Sequence, residues 1–301
     1  MASRRPPSAL LAAAALWAVS GAAACGAQRL LVVSSSDALP YQQALSGVQK
    51  TDVPTEAIQV AADTDAKAST AVAQVGRDGA IVTLGARAMA LVAQAGPAVP
   101  VVNCMVIGGD DLRTTPGTQV VPLDVPVDTH VAWLKRLLPN ARNVGILFDP
   151  AQNERRAADS AAALARAGYV PVLEPVSGPT ALPNALTRLT NSVDVLHAIP
   201  DTTVFAREHS RALLLYSFRH RIPLAGPSEA WVRAGALYAV DWDYQDLGRY
   251  CAALALRQAG GAKGPMPPPA RLRVVVNARS AEQLRIKWDA ETLRAVDKVY
   301  E

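Results

Sequence analysis

Short apolar runs alternate with longer helical patterns along most of this 301-residue chain. Residues 193–199 and 222–225 are mostly apolar, and each run is followed by a turn of small polar and acidic residues. The two turns read Pro200-Asp201-Thr202-Thr203 and Gly226-Pro227-Ser228-Glu229. In a parallel α/β sheet, such turns lie at the carboxyl edge of the strands, where ligands bind. The alternation therefore predicts a parallel sheet with a binding site along one edge.

The strand–helix rhythm runs twice, and a break near residue 125 separates the two halves. The predicted strands of the first half are 29–33, 57–61, 80–84, 99–102 and 119–123. Those of the second half are 144–148, 170–173, 193–199, 222–225, 236–240 and 271–276, and residues 280–300 are predicted to be largely helical. Two series of βαβ units predict an α/β protein with two doubly wound, Rossmann-like parallel sheets.

The composition argues against a nucleic-acid-binding protein. Half of the residues are hydrophobic, which suits helices packed on buried strands, whereas only 5% are aromatic. Few aromatic rings are available for stacking on single-stranded nucleic acid. The formal net charge is +4, but the basic residues are scattered and form no continuous stripe.

The N-terminal residues 1–24 have the features of a signal peptide. Arg4 and Arg5 precede an apolar stretch, 9–19, that is too short to span a bilayer. The small residues Ala22-Ala23-Ala24 then lead into Cys25, and this run resembles a bacterial lipobox with Ala22 in place of the usual Leu. Two outcomes remain open, lipidation of Cys25 or ordinary cleavage after Ala24 or Ala27. Both predict an exported, periplasmic protein with at most a lipid anchor in a membrane.

Two cysteines remain for the folded part, Cys104 at the end of a predicted strand and Cys251 in a predicted helix. Export permits a disulfide, which requires that this helix packs beside that strand. The alternative is two buried, unpaired thiols, and the sequence favours this alternative. The cysteines show no metal-ligand spacing.

Catalytic and cofactor motifs are missing from the sequence. It contains no dinucleotide fingerprint, no P-loop and no H-E-x-x-H, and the four histidines lack ligand spacing. Ser228 lies in a near-match to G-x-S-x-G, but helix capping is the favoured role. Asp201 and Glu229 could form an acid/base pair, although hydrogen bonding to a solute or to a helix start is favoured. No enzyme activity, metal or cofactor is predicted.

The candidate ligand-binding residues follow predicted strands in both halves. They are Ser35, Ser36, Asp37, Gly85, Ala86, Asp149, Asp201, Thr202, Ser228 and Glu229. Hydroxyls and helix N-terminal amides would hold an anionic group such as a carboxylate. Carboxylates would hold an amine or hydroxyl groups. An aromatic cluster near the same edge, Trp231, Tyr238, Trp242 and Tyr244, could line a pocket, but core packing is favoured for each ring.

Three segments resemble a known family. They are Leu138-Pro139-Asn140-Ala141-Arg142-Asn143-Val144-Gly145-Ile146-Leu147-Phe148-Asp149-Pro150, then Gly235-Ala236-Leu237 with Asp243-Tyr244 and Leu247-Gly248-Arg249, and Val275-Val276-Asn277-Ala278-Arg279-Ser280-Ala281. Their order and spacing are similar to those of ABC-transporter substrate-binding proteins, the family that includes tryptophan- and tyrosine-type uptake receptors. The stretch 103–118 departs from the family pattern.

The resemblance implies a type I periplasmic-binding-protein fold, in which two lobes joined by three chain crossings close on a solute. Lobe one would comprise 28–124 plus 242–264, and lobe two 126–241 plus 265–301. The implied function is a non-catalytic receptor that delivers a small polar or aromatic, amino-acid-like solute to an inner-membrane ABC permease. The alternatives are a ligand sensor that acts with a signalling or outer-membrane partner without transport, and an enzyme that uses Asp201 and Glu229.

Overall fold

The structure, a computed structural model, describes residues 29–107, 117–260 and 270–301. The predicted signal peptide and Cys25 lie outside the described residues. Within them the strands form two separate sheets, one with five strands and one with seven. We call the five-stranded sheet with its helices lobe one and the seven-stranded sheet with its helices lobe two.

Lobe one is built on a fully parallel sheet. Its spatial order is β2 (Thr55–Gln59), β1 (Leu30–Ser34), β3 (Ala80–Leu84), β4 (Val101–Val106) and β5 (Thr118–Pro122). Its helices are α1 (Leu39–Val48), α2 (Asp65–Gln74), α3 (Ala86–Ala95) and α9 (Tyr244–Ala259). Alternate strand residues enter different cores, since Val32 packs on one face and Val33 on the other. The sheet is therefore buried on both faces, as parallel sheets are.

Lobe two has the spatial strand order β12 (Lys298–Tyr300), β11 (Leu272–Asn277), β10 (Tyr238–Trp242), β9 (Leu224–Ala225), β8 (Val195–His197), β6 (Asn143–Phe148) and β7 (Val170–Pro175). Its helices are α4 (Val127–Leu137), α5 (Pro150–Arg166), α6 (Leu182–Leu189), α7 (Ser210–His220), α8 (Glu229–Ala234), α10 (Ala278–Gln283) and α11 (Ala290–Ala295). Among the strand pairs of lobe two in the described residues, β10–β11 alone is antiparallel. Two apolar cores cover the two faces. The prediction of two parallel-sheet α/β lobes is confirmed.

The prediction of a largely helical segment over 280–300 is wrong. The segment contains most of the short helix α10, the short helix α11 and a final strand, β12, that pairs with β11. Asn277 and Asp289 each accept a hydrogen bond from a backbone amide three residues later, which starts a new helix at each point. Arg285 has φ of +60° and ends the first one.

The chain passes from lobe one to lobe two between β5 and α4, returns between β10 and α9, and enters lobe two again at β11. Helix α9 packs along α1 at very short range, because a Cβ on Gly47 or Gly248 would overlap backbone atoms of the other helix. Only glycine permits such close contact at these two positions. The close packing fixes α9 on the core of lobe one.

Cys104 of β4 and Cys251 of α9 form a disulfide with their Cα atoms 6.6 Å apart. The favoured expectation of two unpaired thiols is therefore wrong. The bond forms because α9, although 147 residues further along the chain, packs directly on the β3–β4 face of the sheet.

Candidate functional site

A cavity of about 290 Å³ lies where the two lobes and the crossing segments meet. Ile107, just beyond β4, lines it from lobe one, and Thr202 and Phe205 line it from lobe two. Trp242 and Tyr244 line it from the second crossing. The cavity is thus bounded by both lobes at the carboxyl ends of parallel strands, the expected place for a ligand in this type of fold.

The predicted site residues of lobe one gather beside the start of α3 and α1. Ser35 Oγ accepts a 2.9 Å hydrogen bond from the amide of Ala88 and so caps α3 from outside the helix. Gly85 has φ of +92°, and a Cβ there would lie 2.7 Å from Ser35 Oγ and 2.9 Å from the hydroxyl of Tyr41. The backbone of α3 can therefore approach Ser35 only with glycine at this position.

The other lobe-one candidates lie further out. Ser36 Oγ accepts a 3.1 Å hydrogen bond from the amide of Ala38, and the side chain of Asp37 is exposed. Ala86, the first residue of α3, is also exposed. None of the five lobe-one candidates lines the 290 Å³ cavity.

In lobe two, the strand-end acids Asp149 and Asp201 lie close together, and donors within the protein occupy both carboxylates. Asp201 accepts hydrogen bonds of 2.7–2.8 Å from the amides of Asp149, Thr203 and Val204 and from Nδ2 of Asn153. Asp149 caps α5, and its other oxygen accepts a 2.7 Å hydrogen bond from Thr203 Oγ1. Both acids are buried, at 7% and 4% exposure, and they organise the strand-end turn.

Thr202 and Asp201 are the two sequence-predicted residues that line the cavity. The side chain of Thr202 is exposed, and its hydroxyl donates a 3.3 Å hydrogen bond to Oε1 of Gln152. Of the two, Thr202 has the side chain with the more accessible polar atom.

Glu229 points away from the cavity, toward strand β12. Its Oε1 accepts hydrogen bonds from Lys298 Nζ at 2.8 Å and from the Tyr300 hydroxyl at 2.5 Å, and Arg273 lies 3.5 Å from Oε2. Burial alone would raise the pKa of Glu229, but these donors and positive charges lower it below its ordinary value. Ser228 precedes α8 as the N-cap residue without a side-chain capping bond.

Asp241, a buried carboxylate on the cavity wall with 6% exposure, was not predicted from the sequence as a site residue. Its Oδ1 accepts hydrogen bonds from the Trp242 amide at 2.8 Å and the Tyr244 hydroxyl at 2.9 Å. Its Oδ2 accepts a 2.9 Å hydrogen bond from the Glu229 amide. Burial raises the pKa of Asp241 despite these donors. An acid near a strand end was the available signal, but the strand was predicted to end at Val240.

His130 of α4 and His197 of β8 form an edge-to-face pair with ring centroids 4.9 Å apart. His130 lines the 290 Å³ cavity, and both rings line a neighbouring cavity of about 510 Å³. Burial and the charge of His197 lower the pKa of His130 to about 3, and burial lowers that of His197 to about 4. Both rings are therefore neutral near pH 7. Among the described residues, no group of three or more His, Cys, Asp or Glu is placed to hold a metal.

The crossing segments are hydrogen-bonded to one another. Trp242 Nε1 donates to the carbonyl of Leu123 at 2.9 Å, which joins the second crossing to the first. The amide of Asp243 donates to the carbonyl of Arg271 at 2.9 Å, and the amide of Arg271 donates to Oδ2 of Asp246 at 2.7 Å. These bonds join the third crossing to the start of α9.

A family model described as ABC transporter substrate binding protein matches residues 45–300. The chain belongs to this family. The predicted resemblance is thus confirmed, and the family is one of solute-binding receptors rather than an enzyme class. A comparison with curated proteins gives no match.

Solved structures show that this substrate-binding protein shares its fold with known proteins. An L-Trp complex from Streptococcus pneumoniae has a TM-score of 0.65 at 20% identity, over 90% of this chain and 99% of the other. A ligand-free, open substrate-binding protein with adhesive properties from Clostridium difficile has a TM-score of 0.73 at 15% identity, with 90% and 99% coverage. A D-allose complex from Actinobacillus succinogenes has a TM-score of 0.55 at 15% identity, with 86% and 99% coverage. The type I periplasmic-binding-protein fold is confirmed.

Members of the family are periplasmic or otherwise extracytoplasmic binding proteins. In the part of the substrate-binding protein that the structure describes, no helix has the length and apolar character needed to cross a bilayer.

Proposed function

We propose that this protein captures a small polar or aromatic, amino-acid-like solute between its lobes and delivers it to an ABC import permease in the inner membrane. It acts in the periplasm, without catalysing a reaction. The proposed lobes span 28–124 with 242–264 and 126–241 with 265–301. We also propose that residues 1–24 direct export, and that a lipid on Cys25 anchors the protein.

The observation that carries the proposal is the cavity at the meeting point of the lobes. Ile107 is 39% exposed on the lobe-one side, and the exposed Thr202 lies on the lobe-two side. Surfaces from two lobes can enclose a solute when the lobes rotate toward each other about the crossings. Burial between two lobes excludes water and strengthens the polar contacts that select the solute.

The edge of lobe one supplies the remaining proposed contacts. Ser35 occupies the Ala88 amide, which leaves the amides of Ala86 and Arg87 in the first turn of α3 without a bond inside the described residues. These amides would hold the carboxylate of an amino-acid-like solute when the lobes close. Ser36 and Asp37 extend the same edge. The ligands bound in two structures of similar fold, L-Trp and D-allose, support a solute of this size.

A thermal-shift screen of amino acids, aromatic acids, amines and sugars tests ligand binding. A true ligand at a hundredfold excess over its dissociation constant should stabilise the protein by about 2.7 kcal/mol. Thr202→Lys should abolish the shift by filling the cleft with a long cationic side chain. Thr187→Lys is the matched control, because Thr187 is exposed on α6 of the same lobe and does not line the cavity. Equal shifts in both variants would disprove binding in this cleft.

Uptake of the radiolabelled ligand tests delivery to a permease. Cells that lack the protein should lose high-affinity uptake, and the Thr187→Lys variant, but not Thr202→Lys, should restore it. Unchanged uptake in the deletion strain would contradict the transport proposal and favour the sensing alternative.

A further inference from the structure

Among the described residues, the charged side chains that line the cleft are all acidic. What this implies about the ligand rests on the proposed function. Two buried carboxylates, Asp201 and Asp241, line the 290 Å³ cavity, whereas no Lys or Arg is among the described residues that line it. The one lining histidine, His130, is neutral near pH 7 because burial and His197 lower its pKa to about 3. The described wall of the cavity is therefore acidic.

The two acids differ in how completely internal donors satisfy them. Asp201 accepts four hydrogen bonds, which is about the full capacity of a carboxylate. Asp241 accepts three, two on Oδ1 and one on Oδ2, so Oδ2 retains room for a further donor. Of the two, Asp241 is the acid able to accept a donor from a ligand.

Asp241 has no ion-pair partner among the described residues. Arg273 stands opposite Asp241 in the antiparallel pair β10–β11, but its guanidinium lies 3.5 Å from Oε2 of Glu229. Lys298 likewise forms an ion pair with Glu229. A buried carboxylate without a cation is costly, and a cationic ligand would offset that cost.

Aromatic rings surround the same space. Trp242 and Tyr244 follow Asp241 in the chain and line the cavity, and Phe205 also lines it. Aromatic faces attract cations and pack against apolar groups. The acid and the rings thus favour one kind of solute.

We propose that the cleft selects solutes with a cationic amine, whose ammonium group binds Oδ2 of Asp241 while the apolar body contacts Phe205 and Trp242. The proposal assigns Asp241 as the specificity-determining residue. It also implies that a free carboxylate on the solute is not required for binding.

A matched series of three compounds tests the selectivity by calorimetry at pH 7. The series is 2-phenylethylamine, which is cationic, 2-phenylethanol, which is neutral, and 3-phenylpropanoate, which is anionic. The wild-type protein should bind the amine at least about tenfold more tightly than the alcohol and should bind the anion most weakly. Asp241→Asn keeps an acceptor for the Glu229 amide and should remove the preference for the amine.

A substitution at Asp128 provides the matched control. Asp128→Asn also removes one negative charge, but Asp128 is exposed on α4 and does not line the cavity, so this variant should leave the ratio of amine to alcohol affinity nearly unchanged. The wild-type series alone decides the matter if Asp241→Asn does not fold. Binding of the alcohol or the anion that is equal to or tighter than binding of the amine would overturn the inference. So would the absence of amine binding at about 1 mM amine. The proposed function would fail separately, if none of the compounds in the thermal-shift screen bound to the protein.

Discussion

The hydroxyl of Tyr244 donates a 2.9 Å hydrogen bond to Oδ1 of Asp241, and so joins the first turn of α9 to β10. The bond connects a residue of the lobe-one helix to a buried acid of lobe two at the second crossing. Burial and the nearby Asp241 carboxylate raise the pKa of Tyr244, so that its hydroxyl remains protonated and can donate at all physiological pH values.

Tyr244→Phe should lower the free energy of unfolding by about 1–3 kcal/mol, because a buried carboxylate loses one of its three donors. Urea unfolding measures the change. Tyr250→Phe on the same helix is the control, since the Tyr250 hydroxyl makes no hydrogen bond within the described residues. A loss of equal size in the two variants would show that the Tyr244 bond contributes nothing specific.

Gly248→Ala should destabilise the protein by about 2 kcal/mol or more, because the new Cβ would overlap the carbonyl of Ala44 and push α9 off α1. Gly76→Ala is the matched control, since no atom lies within 4 Å of a Cβ at that position. The melting temperatures of the two variants measure the difference in stability. An unchanged melting temperature for Gly248→Ala would mean that α9 does not pack this closely.

Loss of the Cys104–Cys251 disulfide should cost about 2–5 kcal/mol of stability, since the bond closes a loop of 147 residues. Thermal unfolding of the wild-type protein should shift to lower temperature when dithiothreitol is added. The double variant Cys104→Ala, Cys251→Ala should already melt at the lower temperature and should not respond to the reductant. A wild-type protein that is indifferent to the reductant would contradict the bond.

Stability should fall as the pH decreases from 6.5 toward 4. The pKa values of His130 and His197 in the folded protein, about 3 and about 4, lie below the ordinary value of 6.5. The unfolded chain therefore binds protons in this range that the folded protein does not, which favours unfolding by at most about 1.4 kcal/mol per pH unit for each ring. Asp241 has the opposite sign, since its pKa is raised by burial and protonation relieves its cost.

Urea unfolding at pH values between 4.5 and 6.5 measures this slope. His197→Asn should make the slope shallower, whereas His220→Asn, a change at an exposed position on α7, should preserve it. A flat stability profile of the wild-type protein above pH 4.5 would contradict the burial of the histidine pair.

The sequence was sufficient to predict the strand-end turns because those depend on local alternation and on acids that follow apolar runs. Asp149 and Asp201 were each placed directly after a strand for this reason. That their strands, β6 and β8, are neighbours is a result of the structure. Their role inside the turn depends on Asn153 and Thr203, whose side chains reach them only in the folded lobe. Local patterns do not encode such contacts.

Longer-range packing explains what the sequence analysis missed. The orientation of Glu229 depends on Lys298 and Tyr300, and these residues could not be anticipated as partners once 280–300 was predicted to be helical. The pairing of Cys104 with Cys251 likewise depends on the docking of α9, a non-local event. Asp241 was overlooked because a boundary error of two residues moved it from the strand into a loop.

The disulfide also determines which parts of the chain can move together. Because it fixes α9 to β4, this helix travels with the five-stranded sheet as one rigid block, although both of its neighbours in sequence belong to the other block. Any rotation between the blocks must then be absorbed by backbone torsions in the few residues that flank them, such as Leu123 and Asp243. The oxidised cysteine pair thus confines the pivot to the crossing segments.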